Sequence, residues 1–171
     1  MPRERAPALD LPLVGEGRFA LGAKPAMSFD MLVFYRGLHC PVCAKYLMEL
    51  ERLAPEFEKR GVRMVALSSD GSERAAKMAE KVKASLVSFA FDLPLSEARA
   101  WGLYVSAGRG GEEPAFFNEP GVFLIRPDGT LYYGATQTMP FARPPFSDLL
   151  GAVDYAIAKD YPARGEYAGE V

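Results

Sequence analysis

The chain has 171 residues, 49% of them hydrophobic, which is enough to bury one sizeable core and predicts a single domain over residues 1–171. Its formal net charge is −2 and no segment is rich in lysine and arginine, which argues against a nucleic-acid partner. No apolar run reaches the length of a membrane span and the N-terminus lacks the apolar core of a signal peptide, so we expect a cytoplasmic protein with no membrane partner.

The first part of the chain predicts an arm followed by a buried strand. Residues 8–21 alternate weakly in hydrophobicity around glycines, which indicates a hairpin or arm laid over the core. Residues 31–35 are continuously apolar, as in a strand buried on both faces, and we place this strand at about residues 29–36.

A long amphipathic helix is predicted at about residues 41–60, where apolar residues recur at three- and four-residue steps. Proline suits the first helical position, so Pro41 places Cys40 at the N-cap. The unpaired N–H groups and the positive dipole end of a first turn favour a thiolate at Cys40. We expect Cys40 to be the exposed sulfur and Cys43, on the apolar stripe, to be the less exposed one.

Cys40 and Cys43 are the only cysteines, and their C-x-x-C spacing places them one helical turn apart. Residues at that spacing can form a disulfide without backbone movement, so we predict a redox-active pair. A purely structural disulfide is disfavoured because a four-residue loop contributes only about 2 kcal/mol. A zinc site needs four ligands and the chain offers two cysteines and one histidine, so we predict no metal and no cofactor. Two buried, inert cysteines are the remaining alternative.

The middle of the chain predicts a β-α-β-α unit. A strand at 62–67 follows the long helix, and Ser72 is expected to cap a helix that ends near Val82. Such a unit implies a parallel strand pair, with the site at the carboxyl ends of the strands, where Cys40 lies.

The last part predicts mixed elements. A weak strand at 86–92 and a short helix at 95–101 precede a glycine-rich loop at 105–120 that could wall the site. A β-hairpin is expected at 121–134, and a helix at 147–159 precedes a polar tail.

Four motifs in order resemble the peroxiredoxin-like (AhpC/TSA) branch of the thioredoxin-fold superfamily. They are Ala6-Pro7-x-x-Asp10-Leu11, Phe34-Tyr35-Arg36-Gly37 running into Cys40-Pro41-Val42-Cys43, Ser69-Asp70, and Phe123-Leu124-Ile125-Arg126-Pro127-Asp128-Gly129. The resemblance covers about residues 6–158. It implies an α/β, thioredoxin-like fold with a central mixed β-sheet flanked by helices. It also implies an antioxidant, thiol-dependent oxidoreductase that reduces hydroperoxides.

The site departs from that family's pattern. Peroxiredoxins usually carry a proline and a threonine seven and three residues before the attacking cysteine, and the overlay puts Arg36, Cys40 and Cys43 at these three positions. The family's later arginine falls at Pro120, where thioredoxin-like disulfide reductases hold a cis-proline facing their C-x-x-C pair. Arg143 is a candidate for the missing peroxide-binding arginine.

Three functions stay open on these residues. Cys40 attacks a substrate disulfide and Cys43 resolves it, or one of the two thiolates attacks a hydroperoxide, or the pair is a non-enzymatic redox sensor. Capping favours Cys40 as the attacking sulfur and the family overlay favours Cys43. Arg36 could stabilise a thiolate and His39 could tune the pKa of Cys40. The expected partners are a hydroperoxide or disulfide substrate and a reductant such as thioredoxin or glutathione, and a homodimer is allowed.

Overall fold

The structure is a computed structural model and describes residues 1–170. The strands are β1 (Asp10–Pro12), β2 (Arg18–Ala20), β3 (Phe29–Phe34), β4 (Val62–Leu67), β5 (Ser88–Ala90), β6 (Val105–Ala107), β7 (Phe116–Asn118), β8 (Gly121–Ile125) and β9 (Leu131–Thr136). The helices are α1 (Pro41–Lys59), α2 (Ser72–Val82), α3 (Leu95–Ala100) and α4 (Phe146–Lys159). No helix within residues 1–170 is both long and apolar enough to cross a membrane.

The central sheet has five strands in the order β5-β4-β3-β8-β9. Strand β4 runs parallel to β3 and β5, whereas β8 runs antiparallel to both β3 and β9. The expected mixed sheet flanked by helices is therefore confirmed, including the parallel pair around α1. Strand β3 lies at the centre, which explains why all six of its residues are buried.

Successive side chains of β3 enter two different cores, as the two-residue period of a strand requires. Met31 and Val33 pack with α1, α2 and α4 on one face of the sheet. Leu32 and Phe34 face the other side, where the predicted arm (β1 and β2) and α3 cover the sheet. Because Tyr35 continues the first series, the chain leaves β3 on the α1 side, and the two cysteines belong to that core.

Two local predictions were wrong. Ser72 does not cap α2, because Gly71 has the extended backbone of an N-cap and its carbonyl accepts from the Ala75 N–H at 3.0 Å. The predicted loop at 105–120 contains the two-stranded sheet of β6 and β7. These short strands form by pairing with each other, which the glycines between them concealed in the sequence.

Candidate active site

The cysteine pair lies at the junction between the end of β3 and the start of α1. Helix α1 begins at Pro41, and Cys40 is its N-cap, as predicted. The Cys43 N–H donates to the Cys40 sulfur at 3.2 Å, so the side chain satisfies one of the helix's unpaired donors. Cys40 and Cys43 form a disulfide, with Cα atoms 5.2 Å apart. The predicted bond between the two sulfurs is thus present.

Both cysteines are buried, and the expectation of an exposed Cys40 was wrong. Cys40 is 2% exposed and Cys43 is 0% exposed. The Cys40 sulfur folds back over the first turn as an N-cap, and the core that packs on this face of the sheet covers it there. Pro41 beside it is exposed and Val42 is half-buried.

Arg36 lies in an ion-pair cluster with two glutamates. Its Nε lies 3.3 Å from Oε2 of the buried Glu119, and its Nη2 lies 3.9 Å from Oε1 of Glu113. Its guanidinium also lies 4.7 Å from the centre of the Phe117 ring. Two carboxylates therefore already balance the positive charge of Arg36.

His39 is half-buried against the same phenylalanine. The ring centres of His39 and Phe117 are 4.7 Å apart, and neither imidazole nitrogen has a hydrogen-bond partner. Burial lowers the pKa of His39, and the nearby Arg36 guanidinium lowers that pKa further. His39 is consequently a neutral imidazole at pH 7.

Pro120 lies beside the end of β3, where the chain leaves the strand toward the two cysteines. The next residue, Gly121, pairs with Phe34 at the end of β3, which puts Pro120 level with Tyr35. No peptide bond among residues 1–170 is cis, so Pro120 is a trans proline, unlike the cis-proline of the disulfide reductases with which the sequence was compared. The Glu119 N–H before it donates to the Tyr104 carbonyl at 2.8 Å.

Asn118 is a site residue that the sequence analysis missed. Its amide nitrogen donates to the Tyr35 carbonyl at 3.1 Å, and its amide oxygen accepts from the Ser69 N–H at 3.0 Å. This fully buried side chain therefore ties together the ends of β3 and β4. The signal for it was a polar Asn-Glu pair directly before the apolar run of β8.

Asp70 was identified from the sequence only as part of a family motif, without a role in the site, and it contacts the turn that carries Cys40. One carboxylate oxygen accepts from the Leu38 N–H at 2.6 Å, and the other accepts from Arg74 Nε at 2.8 Å. Its position directly after β4, at the carboxyl edge of the sheet, was the available signal.

The Arg143 guanidinium lies 4.4 Å from the centre of the Tyr46 ring. Tyr46 is on α1, one helical turn after Cys43. Its Nε donates to the Pro140 carbonyl at 2.9 Å, whereas both terminal nitrogens are buried without a hydrogen-bond partner. Burial lowers the pKa of Arg143. Its role toward a peroxide stays a prediction.

No group of three histidine, cysteine, aspartate or glutamate side chains within residues 1–170 is arranged to hold a metal ion. The chemistry that the arrangement can support is that of the two sulfurs. They are joined at the end of a buried strand and supplied with an N–H donor from the first turn of a helix.

Comparison with known proteins places this site in a family. A match of 44 residues, 26% of this chain and 19% of the relative, is 43% identical to a 1-Cys peroxiredoxin of Onchocerca volvulus, so the match spans about a fifth of that protein. A crystal structure of peroxiredoxin 6 from Arenicola marina superposes with a TM-score of 0.80 at 22% identity, covering 94% of this chain and 74% of the other.

A yeast mitochondrial 1-Cys peroxiredoxin superposes with a TM-score of 0.74 at 19% identity, covering 94% of this chain and 78% of that one. These likenesses show that the fold is that of the peroxiredoxins. The family model described as the AhpC/TSA family matches residues 2–134, which include β1 to β8 and both cysteines. The chain therefore belongs to the AhpC/TSA family.

Proposed function

We propose that this protein is a thiol-dependent peroxidase that reduces small hydroperoxides through a Cys40–Cys43 dithiol–disulfide cycle. One thiolate attacks the terminal peroxide oxygen; an S–O bond forms, the O–O bond breaks, and the alkoxide leaves and takes up a proton. The second thiol then attacks the sulfenic sulfur, an S–S bond forms, and water leaves. Two thiols are oxidised to a disulfide, and one hydroperoxide is reduced to an alcohol and water.

The observation that carries this proposal is the joined pair of sulfurs at the start of α1. A disulfide between two cysteines one helical turn apart is the end product of this cycle, and it needs no backbone movement to form. Because both sulfurs are buried, a small hydroperoxide has better access to them than a protein disulfide has.

We infer that Cys40 is the attacking sulfur and that Cys43 resolves the intermediate. The Cys43 N–H already points at the Cys40 sulfur, and a hydrogen bond to a thiolate is stronger than one to a thiol. Lowering a thiol pKa from about 8.5 to about 7 requires roughly 2 kcal/mol, which this bond and the helix dipole can supply.

The supporting residues have more modest proposed roles. Neutral His39, the neighbour of Cys40, packs on Phe117 and is proposed to wall the site beside Cys40 rather than to act as its base. Arg36, balanced by Glu113 and Glu119, holds the segment around Phe117 against the site. Pro120 forms part of the wall beside Tyr35.

We propose a cytoplasmic thiol system as the source of the two electrons and two protons that reopen the disulfide. Thiol resolution in the yeast mitochondrial relative proceeds via the glutathione and thioredoxin systems, and either could serve this chain. Cysteine pairs in a reducing compartment are more often catalytic than structural. A homodimer is also proposed, and the molecular mass of the protein in solution tests it.

The test is steady-state turnover of hydroperoxide with a thioredoxin or glutathione recycling system, followed by NADPH consumption. We expect turnover by the wild type and a loss of more than about 100-fold in both Cys40→Ser and Cys43→Ser, because each thiol forms one half of the disulfide. Turnover of insulin but not of hydroperoxide would instead identify a disulfide reductase. Stoichiometric oxidation without turnover would identify a redox sensor.

A further inference from the structure

The side chain of Asp70 is only 1% exposed, and both of its oxygens are engaged. A buried carboxylate is costly unless it is paired, so its two partners define what it does. One partner is the backbone N–H of Leu38, two residues before Cys40. The other is Arg74, in the first turn of α2, which also donates from Nη2 to the Glu112 carbonyl at 3.3 Å.

The turn that Asp70 contacts leads directly into the N-cap. Gly37 has a φ of +138°, and a Cβ atom at that position would lie 2.8 Å from an Asp70 oxygen. The Cys40 N–H donates back to the Gly37 carbonyl at 3.1 Å and closes the turn from inside. The turn at 37–40 is therefore fixed at one side by its own backbone and at the other by Asp70, which packs so closely that only glycine fits.

We propose that Asp70, held by Arg74, is a positioning residue for Cys40: it fixes the turn at 37–40 so that the Cys40 sulfur stays aligned with the Cys43 N–H. Its importance for turnover rests on the proposed peroxidase function, but its effect on the thiol does not. Asp70 does not contact the peroxide and acts through the Leu38 N–H.

A positioning role can be separated from a plain charge effect because the two shift the pKa of the Cys40 thiol in opposite directions. An anion near a thiol disfavours the thiolate, so removing a purely electrostatic Asp70 would make Cys40 more acidic. Removing a positioning contact loosens the turn, weakens the bond to the thiolate and makes Cys40 less acidic. The other charged or titratable side chains grouped around this turn are Tyr35, Arg36, His39, Arg74, Glu113 and Glu119, and replacing Asp70 leaves all of them in place.

The test uses Asp70→Asn in a reduced Cys43→Ser background, where Cys40 is the single thiol. The two N–H donors bind different Asp70 oxygens, and asparagine replaces one of these oxygens by an NH2 group that cannot accept, so one of the two bonds is lost. The matched control is Asp30→Asn, because Asp30 is 3% exposed and accepts from Arg63 Nε at 2.6 Å. It lies at the start of β3, about 13 Å along the strand from the end that leads to the cysteines.

The measurements are the rate of iodoacetamide alkylation of Cys40 across pH and the hydrogen exchange of the Leu38 amide. We expect Asp70→Asn to raise the apparent pKa of Cys40 by about one unit, to slow alkylation at pH 7 about 5-fold and to speed exchange at Leu38. Asp30→Asn should lower thermal stability without changing either reading.

An unchanged or lowered thiol pKa in Asp70→Asn, or an equal shift in Asp30→Asn, would overturn the proposal. If Asp70→Asn does not fold, Arg74→Gln replaces it, and unchanged exchange at Leu38 in that variant would also overturn the proposal. None of these readings involves a peroxide, so a wild type that fails to turn over hydroperoxide refutes the peroxidase proposal and leaves this one standing on its own result.

Discussion

The protonation state of His39 shows how burial sets the properties of a single residue beside the cysteines. Its ring packs on Phe117, and both ring nitrogens lie away from any partner. A protonated imidazole in that position has no hydrogen-bond acceptor and lacks the hydration that it has in water, so burial disfavours the charged form. Proximity to the positively charged Arg36 acts in the same direction. The folded protein therefore holds His39 in its neutral form and makes it a weaker base than a free imidazole.

Acidification should destabilise the protein partly through His39. The unfolded imidazole, with a pKa of about 6.5, binds a proton that the folded one rejects, so the stability present above that pH is lost as the pH falls toward the lower folded pKa. We expect the unfolding free energy, measured in urea at pH 7.5 and 5.5, to fall less on acidification in His39→Gln than in the wild type. An equal fall in both proteins would show that His39 is not the group responsible.

Helix α1 does more than present the cysteines, because its middle anchors the chain that enters β5. The Glu51 carboxylate accepts from the N–H groups of Ser85, Leu86 and Val87 at 2.9, 3.0 and 3.1 Å. Partial burial acts to raise the pKa of Glu51, but the bonds from the Ser85 hydroxyl and these three N–H groups outweigh it, and the pKa is lowered. The Glu51 side chain therefore binds three successive N–H groups of the segment before β5 and joins α1 to the edge strand of the sheet.

Replacing Glu51 by Gln should lower the unfolding free energy by about 1–2 kcal/mol, because an amide oxygen cannot replace a carboxylate that accepts bonds at both oxygens. Glu58→Gln is the control, since Glu58 lies on the same helix with an exposed side chain. The measurement is urea unfolding at pH 7 for both variants. Equal, small losses in the two would show that the cap contributes nothing beyond an ordinary surface glutamate.

For the molecule as a whole, the sequence predicted the features that depend on short-range patterns. The apolar run of β3 and the helix start at Pro41 both follow from local chemistry, and both are confirmed. The burial of Cys40 could not be predicted, because it depends on how far the N-cap side chain folds back over the turn. Only tertiary contacts decide that.

The same distinction explains the other errors. Strands β6 and β7 exist only as a pair, so neither is evident from its own three residues. The contact between Asp70 and Leu38 joins residues 32 positions apart, and although the position of Asp70 after β4 marks it as a residue of the sheet edge, its partner Leu38 cannot be read from either segment. The sequence thus located the two sulfurs, but the network that holds them became apparent only in three dimensions.

The central claim is that Cys40 and Cys43 act in sequence on a hydroperoxide. Intact-mass measurement of the reduced single mutants after one equivalent of hydrogen peroxide tests it most directly. We predict rapid addition of one oxygen to the Cys40 sulfur in Cys43→Ser, at least about 10-fold slower addition in Cys40→Ser, and loss of two hydrogens in the wild type. Faster oxidation of Cys43 than of Cys40, or a wild type that gains oxygen without forming the disulfide, would contradict the account.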